Sequence, residues 1–314
     1  MSALLLFFAH SCASPSSSSE AVVSCTEPAP LTASTGEAVP AARRVVVVVM
    51  ENASASASIT QPFFARLADR GAYLSNSRGV RRPSQPNYLA LTAGETYGVD
   101  SNENVTVDAR HLGDLIEARG KSWKNYAENY PGGCFLGESN GSYARKHVPF
   151  LSYANVTGNP ARCAKVVPAQ QFRADYAAGA LPDFSLYIPD NSNNGHDTSV
   201  QFADNYLEAR FGDLVDDAQF MSETLFVLTY DEPGEDGDSP IYTAIAGSGV
   251  EPGSRTDTCY NHYNVLRTIE EALGLGTLGA ADQRAAPVSG IWSRSPSSSA
   301  EVRSTMTSSL DRSS

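Results

Sequence analysis

Apolar β-branched residues follow one another without a break from Val45 to Val49 and run into Met50, Glu51 and Asn52. A run with no polar alternation predicts a strand covered on both faces, as in a parallel sheet between two layers of helices. A second run, Leu225 to Tyr230, ends the same way in Asp231 and Glu232. Further strands are predicted at Ala72–Arg78, Ser122–Tyr126, Phe184–Ile188 and Ile241–Ala246. Helical segments alternate with them. Pro62–Arg70, Leu112–Arg119 and Asn264–Leu273 each close on a glycine suited to the C′ position. Another helix opens at Pro86–Leu91, after the Pro83-Ser84-Gln85 turn. Strands joined through helices imply right-handed crossovers, so the fold class is α/β: a doubly wound, mostly parallel sheet of about six strands with helices on both faces.

Ligands of such sheets sit outside the carboxyl ends of the strands, which makes the strand-end residues the first candidates for chemistry. Glu51-Asn52 and Asp231-Glu232 offer the hard oxygens that a divalent cation prefers. One acidic pair at a strand end is commonly just solvated; two such pairs after two core strands suggest a metal site. Pro86 suits the first turn of a helix, which places Ser84 at or just before a helix N-terminus. Backbone N–H groups and the helix dipole favour an anion there, although a serine in that place also serves as a plain N-cap. His196-Asp197 follows the polar turn Asn191–Gly195, and His262 precedes the last helix. The basic stretch Tyr143–Pro149 reads either as a solvated loop or as a clamp for an anionic substrate.

The formal net charge of −12 argues against a nucleic-acid partner, which calls for a basic surface. Residues 1–13 have a short apolar core and end in Ser11-Cys12-Ala13, which predicts a secretory signal despite the missing basic n-region. That core is too short to span a bilayer, and no transmembrane segment is predicted elsewhere. Residues 14–42 form a Ser/Pro/Ala-rich leader, 43–292 a catalytic domain, and 293–314 a Ser-rich tail. Loss of the signal removes Cys12 and leaves Cys25, Cys134, Cys163 and Cys259, which allow three connectivities. Cys134 with Cys163 is the favoured pair, because one insertion-like stretch contains both. Sequons at Asn104, Asn140 and Asn155 add weak support for a secreted glycoprotein.

Taken in order, Met50-Glu51-Asn52, Pro83 through Leu91, Tyr143 through Pro149, Gly195-His196-Asp197, Thr229 through Glu232 and His262 through Glu270 resemble one family. It is the acid phosphatase and phospholipase C phosphoesterase family, within the alkaline-phosphatase-like superfamily, and the short secreted acid phosphatases are its nearest branch. The resemblance implies Ser84 as nucleophile, with His196 and Asp197 catalytic. It implies Glu51, Asn52, Asp231, Glu232 and His262 as ligands of a divalent metal ion. Arg82, Asn87, Lys146 and His147 would bind the substrate, a phosphorylated small molecule or a phosphoinositide-like compound. Two departures stand out: Arg82 replaces the histidine usual before the Pro-Ser pair, and Ala53-Ser54-Ala55-Ser56 lacks the aromatic usual after Asn52. A phospholipase C-type diesterase and a degenerate phospho-ligand-binding protein keep the same core residues. A sulfatase is disfavoured, because Tyr88 stands where its motif needs arginine.

Overall fold

The computed structural model describes residues 37–293. The predicted signal, Cys25, most of the leader and nearly all of the tail lie outside the described residues. The central sheet is made of β1 (Arg44–Met50), β2 (Ala72–Leu74), β3 (Trp123–Ala127), β4 (Val166–Pro168), β5 (Phe184–Ile188), β6 (Thr224–Tyr230), β7 (Thr243–Gly247) and β8 (Ser254–Thr256). Their spatial order is β8-β2-β7-β6-β1-β5-β3-β4. All neighbours run parallel except β7, which is antiparallel to β6 and to β2.

The valine run behaves as its pattern predicts. Val45, Val47 and Val49 face one core with Tyr88, Leu89, Leu266 and Ile269. Val46, Val48 and Met50 face the other core with Phe63, Phe64, Leu207 and Phe211. Each side chain withdrawn from water contributes roughly 1.5–3 kcal/mol, so β1 is the stable axis of the sheet. Helices α1 (Pro62–Arg70), α2 (Ser84–Ala93), α3 (Leu112–Ala118), α4 (Val200–Asp216) and α5 (His262–Leu273) cover the two faces. Four of these follow from the sequence pattern. The long α4 does not, although Ala203, Leu207, Phe211 and Leu214 recur at helical spacing on its buried side.

Three expectations change. The strand foreseen at Ala72–Arg78 leaves the sheet after Leu74, because a turn at Ser75-Asn76 diverts Ser77–Arg78 to pair with Tyr260–Asn261. The sheet has eight strands rather than about six. The extra pair, β4 and β8, are three-residue edge strands, too short to carry a period. The last core strand begins at Thr243, two residues later than expected, and Ile241 makes isolated bridges to Ser54 and Ser77. Cys134 and Cys163 are bonded as expected, with Cα atoms 5.6 Å apart. Their bridge encloses the stretch that carries Lys146 and His147. Buried Arg145 anchors that stretch by donating to the carbonyls of Leu136 (3.1 Å), Val105 (3.1 Å) and Leu151 (2.8 Å).

Far along α5, Glu270 is fully buried beside Asp282. Asp282 is held by the backbone N–H groups of Leu278 (2.6 Å) and Ala280 (2.8 Å). Burial, and then the Asp282 charge, push the Glu270 carboxyl up to about 9, against the pull of Arg267. Two neighbouring carboxyl groups hydrogen-bond only when one carries a proton. The folded chain therefore keeps a proton that the unfolded chain releases near the ordinary value of 4.5. This contribution to stability is complete below that value and is lost as pH rises through about 9. Between pH 6.5 and 9, unfolding free energy is expected to fall with pH more steeply in the wild type than in Glu270→Gln, by up to about 1.4 kcal/mol per pH unit. Equal slopes in thermal or urea unfolding would contradict a protonated Glu270.

Candidate active site

Parallel pairing of β1 with β6 aligns Met50 with Tyr230, so the residues that follow leave the sheet side by side. The Asp231 N–H donates to Met50 O at 3.1 Å, and the Asn52 N–H donates to Asp231 Oδ1 at 3.2 Å. Asn52 takes a left-handed conformation (φ 57°), one that asparagine tolerates better than most residues. Glu51, Asp231 and Glu232 are all buried.

Helix α2 brings the serine to this edge. Pro83 is its N-cap and Ser84 its first residue, with Pro86 in the first turn, where a missing N–H costs nothing. Asn87 shapes the preceding turn. Its Oδ1 accepts from the N–H of Val80 (2.7 Å) and Arg81 (3.0 Å), and its Nδ2 donates to Arg81 O (2.7 Å). The amide expected to bind substrate is thus engaged by the backbone. Ser84 Oγ donates to Glu51 Oε2 at 3.0 Å and lies 3.4 Å from Glu232 Oε1. Arg82 Nε reaches Glu232 Oε2 at 3.0 Å, and half of the Arg82 side chain stays exposed.

Glu51 gathers the remaining contacts. Its Oε2 lies 3.2 Å from His147 Nε2, and its Oε1 accepts a hydrogen bond from Tyr88 OH. Burial alone would raise the Glu51 carboxyl; His147, Tyr88 and Lys146 outweigh it and hold the group below its ordinary range. Burial, and then the charges of Glu51 and Glu232, drive Asp231 well above its own. Burial also raises Glu232, with Arg82 opposing. Burial and the nearby carboxylates keep the Tyr88 phenol protonated.

The histidines divide. His147 is buried inside the site. His196 stands at its rim, its ring 6.4 Å from that of His147, with Nδ1 at 2.6 Å from Asp197 Oδ1. His262 is buried below the site, and its Nε2 donates to the Asp231 carbonyl at 2.8 Å. Burial lowers its pKa to about 4, so it supports the Asp231 loop as a neutral ring. That nitrogen is not free to hold a metal ion. Tyr88 and Asn194 were not foreseen as site residues. Asn194 accepts the Glu51 N–H on its carbonyl (3.1 Å) and the His196 N–H on Oδ1 (2.8 Å). Tyr88 could have been found, since it lies four residues after Ser84 and shares its helix face. Asn194 carries no such signal, because only the loop conformation brings it there.

A divalent cation would draw its ligands from this donor set. Among the described residues, no three His, Cys, Asp or Glu side chains already surround one point as ligands would. At the site, Asn52 Oδ1 and Asp231 Oδ2 are buried without a partner, and the carboxylates of Glu51 and Glu232 lie near Asp231. Hard, anionic and unpartnered oxygens fit such an ion in kind.

Residues 49–276 match the phosphoesterase family, a span that includes every site residue above. The chain belongs to the phosphoesterase family. This phosphoesterase is 34% identical to the phosphatidylinositol-3-phosphatase of Mycobacterium tuberculosis, over 81% of this chain and 84% of that protein. It is 31% identical to the acid phosphatase of Aspergillus fumigatus over 69% of its length, and spans about half (51%) of that relative. Its fold is that of the alkaline phosphatase superfamily. A member from Vibrio parahaemolyticus superposes with a TM-score of 0.56 at 12% identity, over 79% of this chain and 71% of that one. The lipoteichoic acid synthase of Listeria monocytogenes gives 0.57 at 10% identity, over 82% and 78%. The phosphoesterase is thus an enzyme of the acid-phosphatase type, as its sequence motifs imply.

Removing the amide of Asn87 leaves two N–H groups and a carbonyl without their partner in a partly buried turn. Asn87→Ala is expected to lose about 2–3 kcal/mol in urea unfolding and to lose turnover with it. A loss below about 0.5 kcal/mol would show that the turn holds without its clamp.

Proposed function

We propose that this phosphoesterase hydrolyses phosphate monoesters in two steps, through a phosphoserine on Ser84. The observation that carries the reading is a buried hydroxyl at the first residue of a ten-residue helix, 3.0 Å from an ionised carboxylate. Glu51 Oε2 draws the hydroxyl hydrogen as Ser84 Oγ attacks phosphorus and the ester oxygen leaves. The helix N-terminus, Arg82 and Lys146 face the charge on the equatorial phosphoryl oxygens. His196, at the rim with Asp197 on its Nδ1, supplies a proton to the departing alkoxide and then takes one from the water that opens the phosphoserine, while Glu51 returns its proton to Ser84 Oγ as that oxygen leaves. Asn52, Asp231 and Glu232, with Glu51 beside them, would hold a divalent cation. Such an ion lowers the pKa of a serine hydroxyl and offsets charge on the transferring group.

The name of the Mycobacterium tuberculosis relative supports a phosphoinositide-like substrate and monoester chemistry. The Cys134–Cys163 bridge supports export to an oxidising compartment. No helix among the described residues is long and apolar enough to cross a membrane.

Turnover of p-nitrophenyl phosphate is expected to fall by about 10³-fold or more in Ser84→Ala, with the fold retained. Full activity in that variant would remove Ser84 as nucleophile. A chelator is expected to depress wild-type turnover, and Mg²⁺, Mn²⁺ or Ca²⁺ to restore it; indifference to chelation at every pH would sink the metal assignment.

A further inference from the structure

The two oxygens of Glu51 have different partners. Oε2 faces the chemistry: Ser84 Oγ lies at 3.0 Å and His147 Nε2 at 3.2 Å. Oε1 accepts from the Tyr88 hydroxyl. The side chain is fully buried, so no water competes for either oxygen. A carboxylate on a flexible stem can turn about its last torsion, whose two-fold well does not by itself select one orientation. A single strong donor on one oxygen makes that selection.

Tyr88 is itself held on three sides. It sits one helical turn after Ser84 on the same face of α2, so serine and phenol approach the carboxylate as parts of one rigid helix. Its ring stacks on His147 with centroids 5.3 Å apart and planes at 28°. Its carbonyl accepts from Thr92 Oγ1 at 2.7 Å, and that hydroxyl also meets Tyr153 OH at 2.7 Å. One side chain thus touches Glu51 and His147 while sharing a helix with Ser84.

We propose that Tyr88 is a positioning residue: its hydroxyl engages Oε1 of Glu51 so that Oε2 is presented to Ser84, and its ring sets the plane of His147 beside the same oxygen. This rests on the phosphoserine reading above. Tyr88 contacts no reacting atom and acts only through Glu51 and His147. It therefore affects the serine-activating step without contributing to substrate affinity.

The test is a double-mutant cycle on p-nitrophenyl phosphate, with turnover measured well below each variant's Tm. Tyr88→Phe keeps the ring and removes one hydroxyl. It is expected to lower kcat roughly 10- to 100-fold while KM stays within about threefold of wild type, the pattern of a lost charge-assisted hydrogen bond that binds no substrate. In Glu51→Gln the same Tyr88→Phe change is expected to cost less than about twofold, because the phenol then has no carboxylate to orient. Tyr88→Leu, which also removes the stacking ring, is expected to fall below Tyr88→Phe. A kcat within twofold of wild type in Tyr88→Phe overturns the inference. So does a full, additive loss on the Glu51→Gln background, which is what a purely structural role produces. Ser84→Ala in the same series separates the two levels. If it is inactive while Tyr88→Phe is normal, only the positioning role fails; if it remains active, the phosphoserine reading fails and this inference with it.

Discussion

Everything in the site depends on the parallel pairing of β1 with β6. In that register two fully buried strands end level with each other, and both chains continue straight into acidic residues. The sheet thereby confines Glu51, Asp231 and Glu232 within a small, largely dry space. Three carboxylates in such a place repel one another and lose hydration, a cost that must be offset by protons, cations or donors. The surrounding structure can be understood as a set of answers to that cost.

The answers differ from residue to residue, and their differences create function. Glu51 is provided with donors from a serine, a tyrosine and a histidine, and stays ionised. Glu232 is matched by Arg82, which reaches in from a half-exposed position. Asp231 receives backbone help on one oxygen only, and its other oxygen is left without a partner. One compact cluster therefore holds a carboxylate kept ionised by its donors and a second whose charge burial and its neighbours disfavour.

The arginine that replaces the usual histidine before Pro-Ser fits the same balance. A histidine there would be neutral for part of the pH range, whereas Arg82 is always charged and cancels Glu232 throughout. In the mechanism proposed above, proton delivery would fall to the rim, where the partly exposed His196 has Asp197 at hand. Further support comes from side chains engaged with the backbone. Asn87 builds the turn before the serine, and His262 props the Asp231 carbonyl. Near the other ends of α2 and α5, Ala281 donates to Gly94 O, so both helices that serve the site are tied together away from it.

Much of this was legible in the chain itself. Unbroken apolar runs identified the two central strands, because a strand buried on both faces tolerates no polar alternation. The acids that end those runs and the proline-framed Ser84 named the main chemical groups. Glycines after apolar stretches marked the ends of three helices: Gly120 and Gly274 take the left-handed conformation that favours a residue without Cβ, whereas Gly71 (φ −129°) leaves no room for a Cβ against Ile245 O. What stayed hidden was short, or depended on distance in space. Three-residue edge strands carry no period, and Asn194 has no local mark of its role. His262 and Asn87 have the composition of site residues, yet tertiary contacts commit their polar atoms to backbone groups. The assignment of each oxygen of Glu51 to its own partner was likewise decided only when a helix, a strand and a disulfide-enclosed loop met. Sequence sets which groups reach the sheet edge, because periodicity and strand ends are local properties. Which of them keeps a charge, takes a proton or merely props a neighbour is set by burial and by partners distant in the chain.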